Sequence, residues 1–151
     1  MISEKIILQR LERQCARAEY CTADVRRKAL KALDGDADAA ERVVASLLKD
    51  GYVDNLRYAG AFAREKASLQ GWGRVKIAAM LRAKGIDRSL IEEALTEIEP
   101  EKASSRLSKL VAAKARTLQG DPAIRLKLLR FTLSRGYTYD EAAPAVEEVL
   151  S

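Results

Sequence analysis

Histidine is absent from this chain of 151 residues, and aromatic side chains make up only 5% of it. Without histidine, a His-based catalytic triad is excluded, as are most zinc-binding patterns. Only two cysteines are present, Cys15 and Cys21. Cys15 lies on the apolar stripe of the first expected helix, so we interpret the pair as core thiols rather than redox groups. We expect no cofactor and no metal ion.

Long apolar runs are missing too. No run approaches the roughly 18 apolar residues that a membrane helix needs, and the opening segment MISEKIILQRLERQ is too charged for a signal peptide. The net charge of +5 permits an anionic partner without requiring one. These features predict a cytoplasmic protein with no membrane partner. We also expect a monomer, although the sequence itself does not determine the oligomeric state.

Residue patterns that carry catalysis are also lacking. No glycine-rich phosphate loop precedes a lysine, and the carboxylates are spread along expected helix faces instead of being isolated in an apolar setting. The sequence therefore predicts a protein that is not an enzyme.

What the chain does contain is an abundance of strong helix formers: alanine, leucine, arginine, lysine and glutamate. Its three prolines and eight glycines stand mostly at the edges of segments with helical periodicity. No stretch alternates apolar and polar residues with the period of a strand. The sequence predicts an all-α fold of nine helices.

Local signals predict several helix ends. Thr22 is the expected N-cap of the second helix, Asp54 of the fourth and Asp87 of the sixth. Pro100 is expected to stop the sixth helix. In the eighth helix, we expect Asp121 at the N-cap, with the following proline at the first helical position.

The last two helices carry further expectations. Apolar residues lie on two sides of the eighth helix, so we expect it to be buried on two faces. These residues are Ile124, Leu128 and Phe131 on one side and Leu126, Leu129 and Leu133 on the other. In the ninth helix, Thr138 and Glu141 have the spacing of a capping box, while Pro144 predicts a distorted first turn.

Glycines mark a repeat along the chain. Gly35, Gly85 and Gly136 are 50 and 51 residues apart, and each lies between a helix and an acidic element. With three helices to each period, this spacing predicts three tandem three-helix repeats in an elongated, curved array. The predicted repeats cover residues 1–54, 55–100 and 101–151.

Charge follows the same repeat. The segments before the glycines, each with four basic residues and at most one acid, are 22–33, 74–84 and 123–135. The segments after them, each with four or five acids and at most one base, are 34–41, 86–99 and 137–151. The helix dipole alone favours acids near helix N-termini and bases near C-termini. A functional division of charge remains the other interpretation, because acids continue to the ends of the third helices.

The basic segments are the candidate surface for an anionic partner, since their cations project from otherwise apolar helices. These cations are Arg27, Lys28, Lys31, Arg74, Lys76, Arg82, Lys127 and Arg130.

Three phrases, taken in order, carry a resemblance to a known family. They are LLKDGYVDNLRYAGAFAREKA (47–67), GWGRVKIAAMLRAKGI (71–86) and LLRFTLSRGYTYDEA (128–142). Together they resemble the RecX family of bacterial recombinase regulators over most of the chain from about residue 22. The resemblance implies a modular fold of three-helix repeats and a partner, the RecA filament on DNA. It also implies a role in DNA repair and the SOS response, in which the protein modulates, usually inhibits, recombinase activity. Contact with DNA is implied to be weak or to occur through the filament.

Residues of these phrases have structural interpretations as well. The residues of these phrases that we interpret as structural are Gly51, Tyr52, Asp54, Trp72, Gly73, Gly85 and Gly136. Gly51 and Tyr52 fit a helix C-cap with an aromatic residue packed behind it. Trp72 either packs two repeats together or offers a surface on which a base can stack; packing is favoured, because stacking sites usually include a continuous basic groove.

Two other function classes stay open at this point. A helix-turn-helix DNA-binding protein would read DNA with the helix after each glycine, but those helices are acidic and would repel phosphates. A general helical scaffold for another protein partner is compatible with the same charge pattern.

Overall fold

The structure is a computed structural model that describes residues 3–151. Met1 and Ile2, which begin both the predicted first repeat and the segment assessed as a signal peptide, lie outside the described residues. The described part consists of nine α-helices without any strand, which confirms the predicted all-α fold. The helices are α1 (Glu4–Arg17), α2 (Thr22–Ala32), α3 (Ala37–Lys49), α4 (Asn55–Gln70), α5 (Arg74–Ala83), α6 (Arg88–Leu95), α7 (Pro100–Thr117), α8 (Ile124–Ser134) and α9 (Tyr139–Leu150).

The buried apolar residues form three separate clusters. The first is centred on α1, α2 and α3, the second on α4, α5 and α6, and the third on α7, α8 and α9. We call these three helix triplets the first, second and third units. Three small cores in sequence agree with tandem three-helix repeats, while the repeat boundaries at residues 54 and 100 stay predictions.

The surface area indicates an extended arrangement of these units. The accessible surface is 9274 Å² for a chain of 16.7 kDa. A compact monomer of that mass would expose roughly 7,600 Å². The excess is what a row of small cores produces, because each core buries less of its surface than one large core would.

Some helix ends differ from the prediction. Asp54 is confirmed as the N-cap of α4, since its carboxylate accepts a hydrogen bond from the amide of Arg57 at 3.0 Å. Asp87 stands at the N-cap of α6, but its side chain makes no capping bond. The assignment of Thr22 was wrong: Cys21 is the N-cap of α2, and its amide donates to Asp24 at 3.3 Å.

Two predicted roles of proline were also wrong. Pro100 is the first residue of α7, and α6 has already ended at Leu95. Pro122 precedes α8, which begins at Ile124, because Asp121 caps a turn by accepting a hydrogen bond from the amide of Ala123 at 2.8 Å. The chain therefore makes one turn before the helix proper begins.

Helix α8 is buried on one face only, which corrects the prediction of two. Leu128 is fully buried in the third core, whereas Leu126 is 48% exposed and Leu133 is 39% exposed. Leu128 shares the third core with residues of both α7 and α9, and both of these helices contact α8. The other side carries apolar residues that face solvent.

Helix α9 starts with the predicted capping box, which is confirmed. The Thr138 hydroxyl accepts from the Glu141 amide at 3.2 Å, and the Glu141 carboxylate accepts from the Thr138 amide at 2.9 Å. The Glu141 amide also lies 3.1 Å from the Thr138 carbonyl oxygen, a bond with the short 3₁₀ spacing. The helix nevertheless continues through Pro144 to Leu150.

Candidate interaction surface

Polar and ionic side chains join the first unit to the second. The Lys84 ammonium at the end of α5 donates to the carboxylate of Asp24 in α2 at 2.8 Å. The amide of Thr22 donates to the side-chain oxygen of Asn55 at 2.9 Å. Cys21 is fully buried in the second core although it precedes α2 of the first unit. The basic segment of α2 is therefore fixed relative to the basic segment of α5.

Backbone atoms join the second unit to the third. The Gly73 amide donates to the Arg135 carbonyl oxygen at 2.7 Å, and the Val75 amide donates to the Gly136 carbonyl oxygen at 2.9 Å. The hydroxyl of Tyr137 adds a hydrogen bond to the Gly71 carbonyl at 2.9 Å. We call this contact the glycine joint.

The close approach of the two backbone segments at the joint requires glycine at both positions. A Cβ atom on Gly73 would lie 2.5 Å from the carbonyl oxygen of Gly136. A Cβ atom on Gly136 would lie 2.7 Å from the amide nitrogen of Lys76, and the φ angle of Gly136 is +97°. Such approaches are closer than non-bonded atoms tolerate, and an L-residue avoids that φ angle. The structure thus brings together two glycines that the sequence presented as parts of separate phrases.

The remaining phrase glycines end helices. Gly51, with a φ angle of +76°, follows α3, and Tyr52 behind it is half-buried against the first core. Gly85, with a φ angle of +78°, follows α5 in the same manner. A positive φ angle is favourable for glycine and costly for other residues, which explains these positions in structural terms.

The predicted cations differ in their surroundings. Six of the eight are exposed: Arg27, Lys31, Arg74, Arg82, Lys127 and Arg130. Arg27 lies 3.5 Å from Asp24, and Lys127 forms an ion pair with Asp121. Arg74 and Arg82 line one cleft between the second and third units. Lys28 is half-buried, with its ammonium 5.0 Å from the centroid of the Tyr20 ring.

Lys76, the last of the predicted cations, belongs to a cluster around Trp72. The Lys76 ammonium lies 4.3 Å from the Trp72 ring centroid, and the Lys66 ammonium lies 5.1 Å from it. Phe62 meets the same indole ring edge-on, with centroids 6.2 Å apart. Trp72 packs against the second core. The indole therefore has a packing role and also supports two cations.

Phe131 in α8 has a similar setting. The Lys114 ammonium lies 5.2 Å from its ring centroid, and the Arg135 guanidinium carbon lies 5.0 Å from it. Arg135 also supplies the carbonyl that accepts from Gly73, so this second ring adjoins the glycine joint. Attraction between a cation and an aromatic face contributes about 0.5–1 kcal/mol at exposed sites.

Three of the four cations at these rings, Lys66, Lys114 and Arg135, are not among the predicted cations. A signal for two of them was present. A base follows an aromatic residue by four positions at Phe62–Lys66, Trp72–Lys76 and Phe131–Arg135. That spacing places side chains on one face of a helix. Lys114 has no such signal, because it reaches Phe131 from another helix.

The two cysteines are buried and unpaired thiols. Burial is the largest cause that raises the pKa of Cys15 and of Cys21 above the ordinary thiol value. Raised values keep both thiols protonated and poorly nucleophilic at neutral pH. Within residues 3–151, no group of three or more acidic, cysteine or histidine residues is placed to hold a metal ion. No described helix is long and apolar enough to cross a membrane.

Comparisons with known proteins give the family. A family model described as the second three-helix domain of RecX matches residues 54–95, the part that holds α4, α5 and α6. The regulatory protein RecX of Salmonella paratyphi A is 31% identical to the chain over 109 residues, which is 72% of the chain and 65% of that relative. The chain belongs to the RecX family.

Further relatives agree in sequence and in fold. The regulatory protein RecX of Clostridium botulinum (strain Alaska E43 / Type E3) is 29% identical over 120 residues, covering 77% of the chain and 56% of the relative. A crystal structure of regulatory protein RecX superposes with a TM-score of 0.83 at 22% identity, over 97% of the chain and 71% of that protein. For RecX from Lactobacillus salivarius the TM-score is 0.80 at 19% identity, over 97% and 96%. The chain thus spans less than two thirds of the Clostridium and Salmonella relatives, all named as regulatory proteins.

Proposed function

We propose that this chain binds RecA filaments assembled on DNA and inhibits the recombinase in ATP hydrolysis and strand exchange. Its membership of the RecX family, whose relatives are named as regulatory proteins, is the observation that carries the proposal. The chain acts as a cytoplasmic monomer and not as an enzyme. In this proposal RecA is the partner, and the chain contacts DNA within the RecA filament.

The arrangement in three units supports a multivalent mechanism. A filament presents the same recombinase surface at regular intervals, and the chain presents three helix triplets in series. Once one unit is bound, the next contact is intramolecular and benefits from a high effective concentration. An array that bridges neighbouring protomers would oppose the movements that ATP turnover and filament growth require.

Two exposed cations provide a way to test the role of the basic segments. Lys31 in α2 and Arg130 in α8 are both exposed, and within the described residues neither has an acidic partner within 4.0 Å. They belong to the first and third units, so a change at both positions weakens contacts at two separate places. Reversing an exposed positive charge that contacts an anionic or acidic partner weakens binding to that partner. The decrease in affinity becomes smaller as the salt concentration rises, because salt screens exposed charges.

The decisive measurement is ATP hydrolysis by the cognate recombinase on single-stranded DNA, with and without this protein. We expect a saturable fall in the rate. The variant with Lys31→Glu and Arg130→Glu should need a roughly 10-fold higher concentration for the same inhibition. A control with the same charge change, Lys5→Glu and Lys49→Glu, alters exposed cations outside the basic segments and should act like the unmodified protein. An unchanged rate of hydrolysis at saturating protein would refute the proposed function.

A helix-turn-helix mode of DNA reading receives no support from the charges. Helices α6 and α9, which follow the glycines, carry acids such as Glu92, Glu93 and Glu148 on exposed positions. Phosphates would be repelled there. Binding assays on two DNA fragments of different sequence separate the two functions, since a DNA reader prefers one of them and a filament regulator needs the recombinase for tight binding.

A further inference from the structure

Helix α8 carries a row of leucines on the side opposite the buried Leu128. Leu126 and Leu133 are exposed, and Leu129 between them is half-buried. Spacings of three and four residues place these three side chains in one line along the helix surface. We call this line the leucine stripe. Anchors at positions i, i+3 and i+7 are the pattern with which one amphipathic helix packs against another.

The cations on the flanks of the leucine stripe differ in whether they are neutralised. Arg125 lies 2.7 Å from Glu147, and Lys127 is paired with Asp121. Arg130 is exposed and, over residues 3–151, has no acidic side chain within 4.0 Å. It stands four residues after the first leucine of the stripe and three before the last, so it adjoins both. A partner with an acid at the facing position complements this charge.

A second copy of the chain matches the leucine stripe poorly. The leucines occupy heptad positions a, d and a, which places Arg125 at position g and Arg130 at position e. Antiparallel pairing of two copies brings e opposite e, so Arg130 would face Arg130. Parallel pairing brings g opposite e, so Arg125 would face Arg130. Like charges at these positions oppose pairing and favour a different partner.

An anionic membrane surface matches the stripe poorly as well. Amphipathic helices that lie on membranes carry bases around a broad apolar face. On α8 the apolar face is one line of leucines, and the acids Asp121 and Glu147 lie beside the bases on its flanks. Anionic lipid headgroups would be repelled by both acids.

We propose that the leucine stripe is a docking site for an amphipathic helix of a partner protein, with an apolar face and acidic flanks. The leucines supply the apolar contact, and Arg130 selects a partner with an acid beside that contact. This inference goes beyond the proposed function, which assigns no role to the leucines. It is tested without any recombinase, so the failure of either proposal leaves the other intact.

The test measures binding of the whole protein to fluorescein-labelled helical peptides by anisotropy. The acidic peptide has three heptads, with leucine at positions a and d and glutamate at e and g. The basic peptide differs only in having lysine at e and g. We expect roughly 10-fold tighter binding of the acidic peptide. The variant with Leu126→Gln and Leu133→Gln should bind the acidic peptide roughly 10-fold more weakly, since these exposed side chains form the apolar contact.

Two controls separate this site from general stickiness and from net charge. Leu69→Gln with Met80→Gln also removes two exposed apolar side chains, but outside α8, and should bind like the unmodified protein. Arg130→Glu should remove the preference for the acidic peptide. Lys49→Glu makes the same charge change on α3 and should keep the preference.

Several results would overturn the inference. One is the absence of any binding to the acidic peptide, and another is an equal loss of affinity in the two double variants. Equal behaviour of Arg130→Glu and Lys49→Glu would assign the preference to net charge. A dimer in sedimentation that the two α8 leucine substitutions abolish would assign the stripe to a second copy. Binding to vesicles of anionic lipid that the same substitutions abolish would assign it to a membrane. If circular dichroism shows that a double variant has unfolded, the comparison of Arg130→Glu with Lys49→Glu decides.

Discussion

The Lys84 ammonium of the second unit lies 2.8 Å from the Asp24 carboxylate of the first, and Asp24 is only 5% exposed. Burial by itself would raise the pKa of Asp24. Hydrogen bonds from Lys84 and Cys21, together with the charge of Lys84, outweigh burial and hold the pKa below its ordinary value of 3.8. The same hydrogen bond raises the pKa of Lys84 above 10.5. The ion pair therefore stabilises the folded state at pH values between the pKa of Asp24 and the pKa of Lys84, where both groups are charged.

The first prediction concerns acid. A carboxyl group with a lowered pKa stabilises the folded state above its unfolded pKa, and this contribution disappears as the pH falls through the lowered folded-state value. Asp24→Asn should reduce the free energy of unfolding by about 1–3 kcal/mol at neutral pH, because Lys84 and the Cys21 amide lose a charged acceptor. The difference from the unmodified protein should shrink in acid, below pH 3.8.

Urea denaturation at a series of pH values provides the measurement. Asp50→Asn serves as the control, since Asp50 is exposed at the end of α3 and has no ion pair within the described residues. A difference between Asp24→Asn and the unmodified protein that stays constant from neutral to acid pH would contradict the assignment.

The second prediction concerns the glycine joint. Gly136 and Gly120 have similar φ angles, +97° and +84°, but only Gly136 has atoms where a Cβ would stand. Gly120→Ala should therefore cost only the strain of the left-handed conformation, about 1–2 kcal/mol. Gly136→Ala should cost about 1–3 kcal/mol more, because the third unit must move away from Lys76. Urea denaturation compares the two, and equal losses of stability would show that the joint is not closely packed.

The third prediction concerns the single buried face of α8. Leu128→Ala removes a fully buried side chain from the third core and should reduce the free energy of unfolding by about 2–5 kcal/mol. Leu126→Ala, two positions earlier, removes a side chain that is 48% exposed and should cost less than about 1 kcal/mol. Thermal or urea unfolding measures both. Similar losses would mean that another surface covers Leu126 in solution.

The fourth prediction concerns the number of units that act together. A chain truncated after residue 100 should remain helical and should lose roughly 10-fold or more in filament affinity, with a parallel loss of inhibition. Titration of ATP hydrolysis with the truncated and whole proteins measures this. If the truncated protein folds and inhibits at the same concentration, the multivalent mechanism is wrong and two units suffice.

The fifth prediction concerns shape. A compact chain of this length has a radius of gyration of about 15 Å. The large accessible surface of 9274 Å² implies a higher value in X-ray scattering from a dilute solution. A value at or below that of a compact chain would remove the elongated array.

Much of the fold could be predicted from the sequence because helical periodicity is a local property. The stripes of α3 and α4 and the cap at Asp54 depend only on residues a few positions apart. The predictions were wrong where an element distant in the sequence determines the local structure. Thr22 has a cap residue's chemistry, but Cys21 takes the position because Asp24 reaches back to its amide. On α8, Leu128 is buried in the third core with residues of α7 and α9, whereas Leu126 and Leu133 on the second apolar side are exposed.

The candidate surface was less predictable for a related reason. Lys76 was found from charge alone, whereas Lys114 reaches its ring from another helix, a relation that no spacing in the sequence records. The pairing of Gly73 with Gly136 joins residues far apart in the chain through backbone atoms. The residue type does not indicate such a contact, because glycine also occurs at helix ends, as Gly51 and Gly85 do.

The two connections between units respond differently to ionic strength. The connection between the first and second units includes the pairs Lys84–Asp24 and Arg57–Glu19, whereas the glycine joint relies on amide-to-carbonyl bonds and on close steric fit. Added electrolyte weakens exposed ion pairs and leaves neutral backbone bonds nearly unaffected. Salt therefore acts mainly on the partly exposed Arg57–Glu19 pair, while the buried Asp24 carboxylate and the backbone bonds of the glycine joint keep their strength as ionic strength rises.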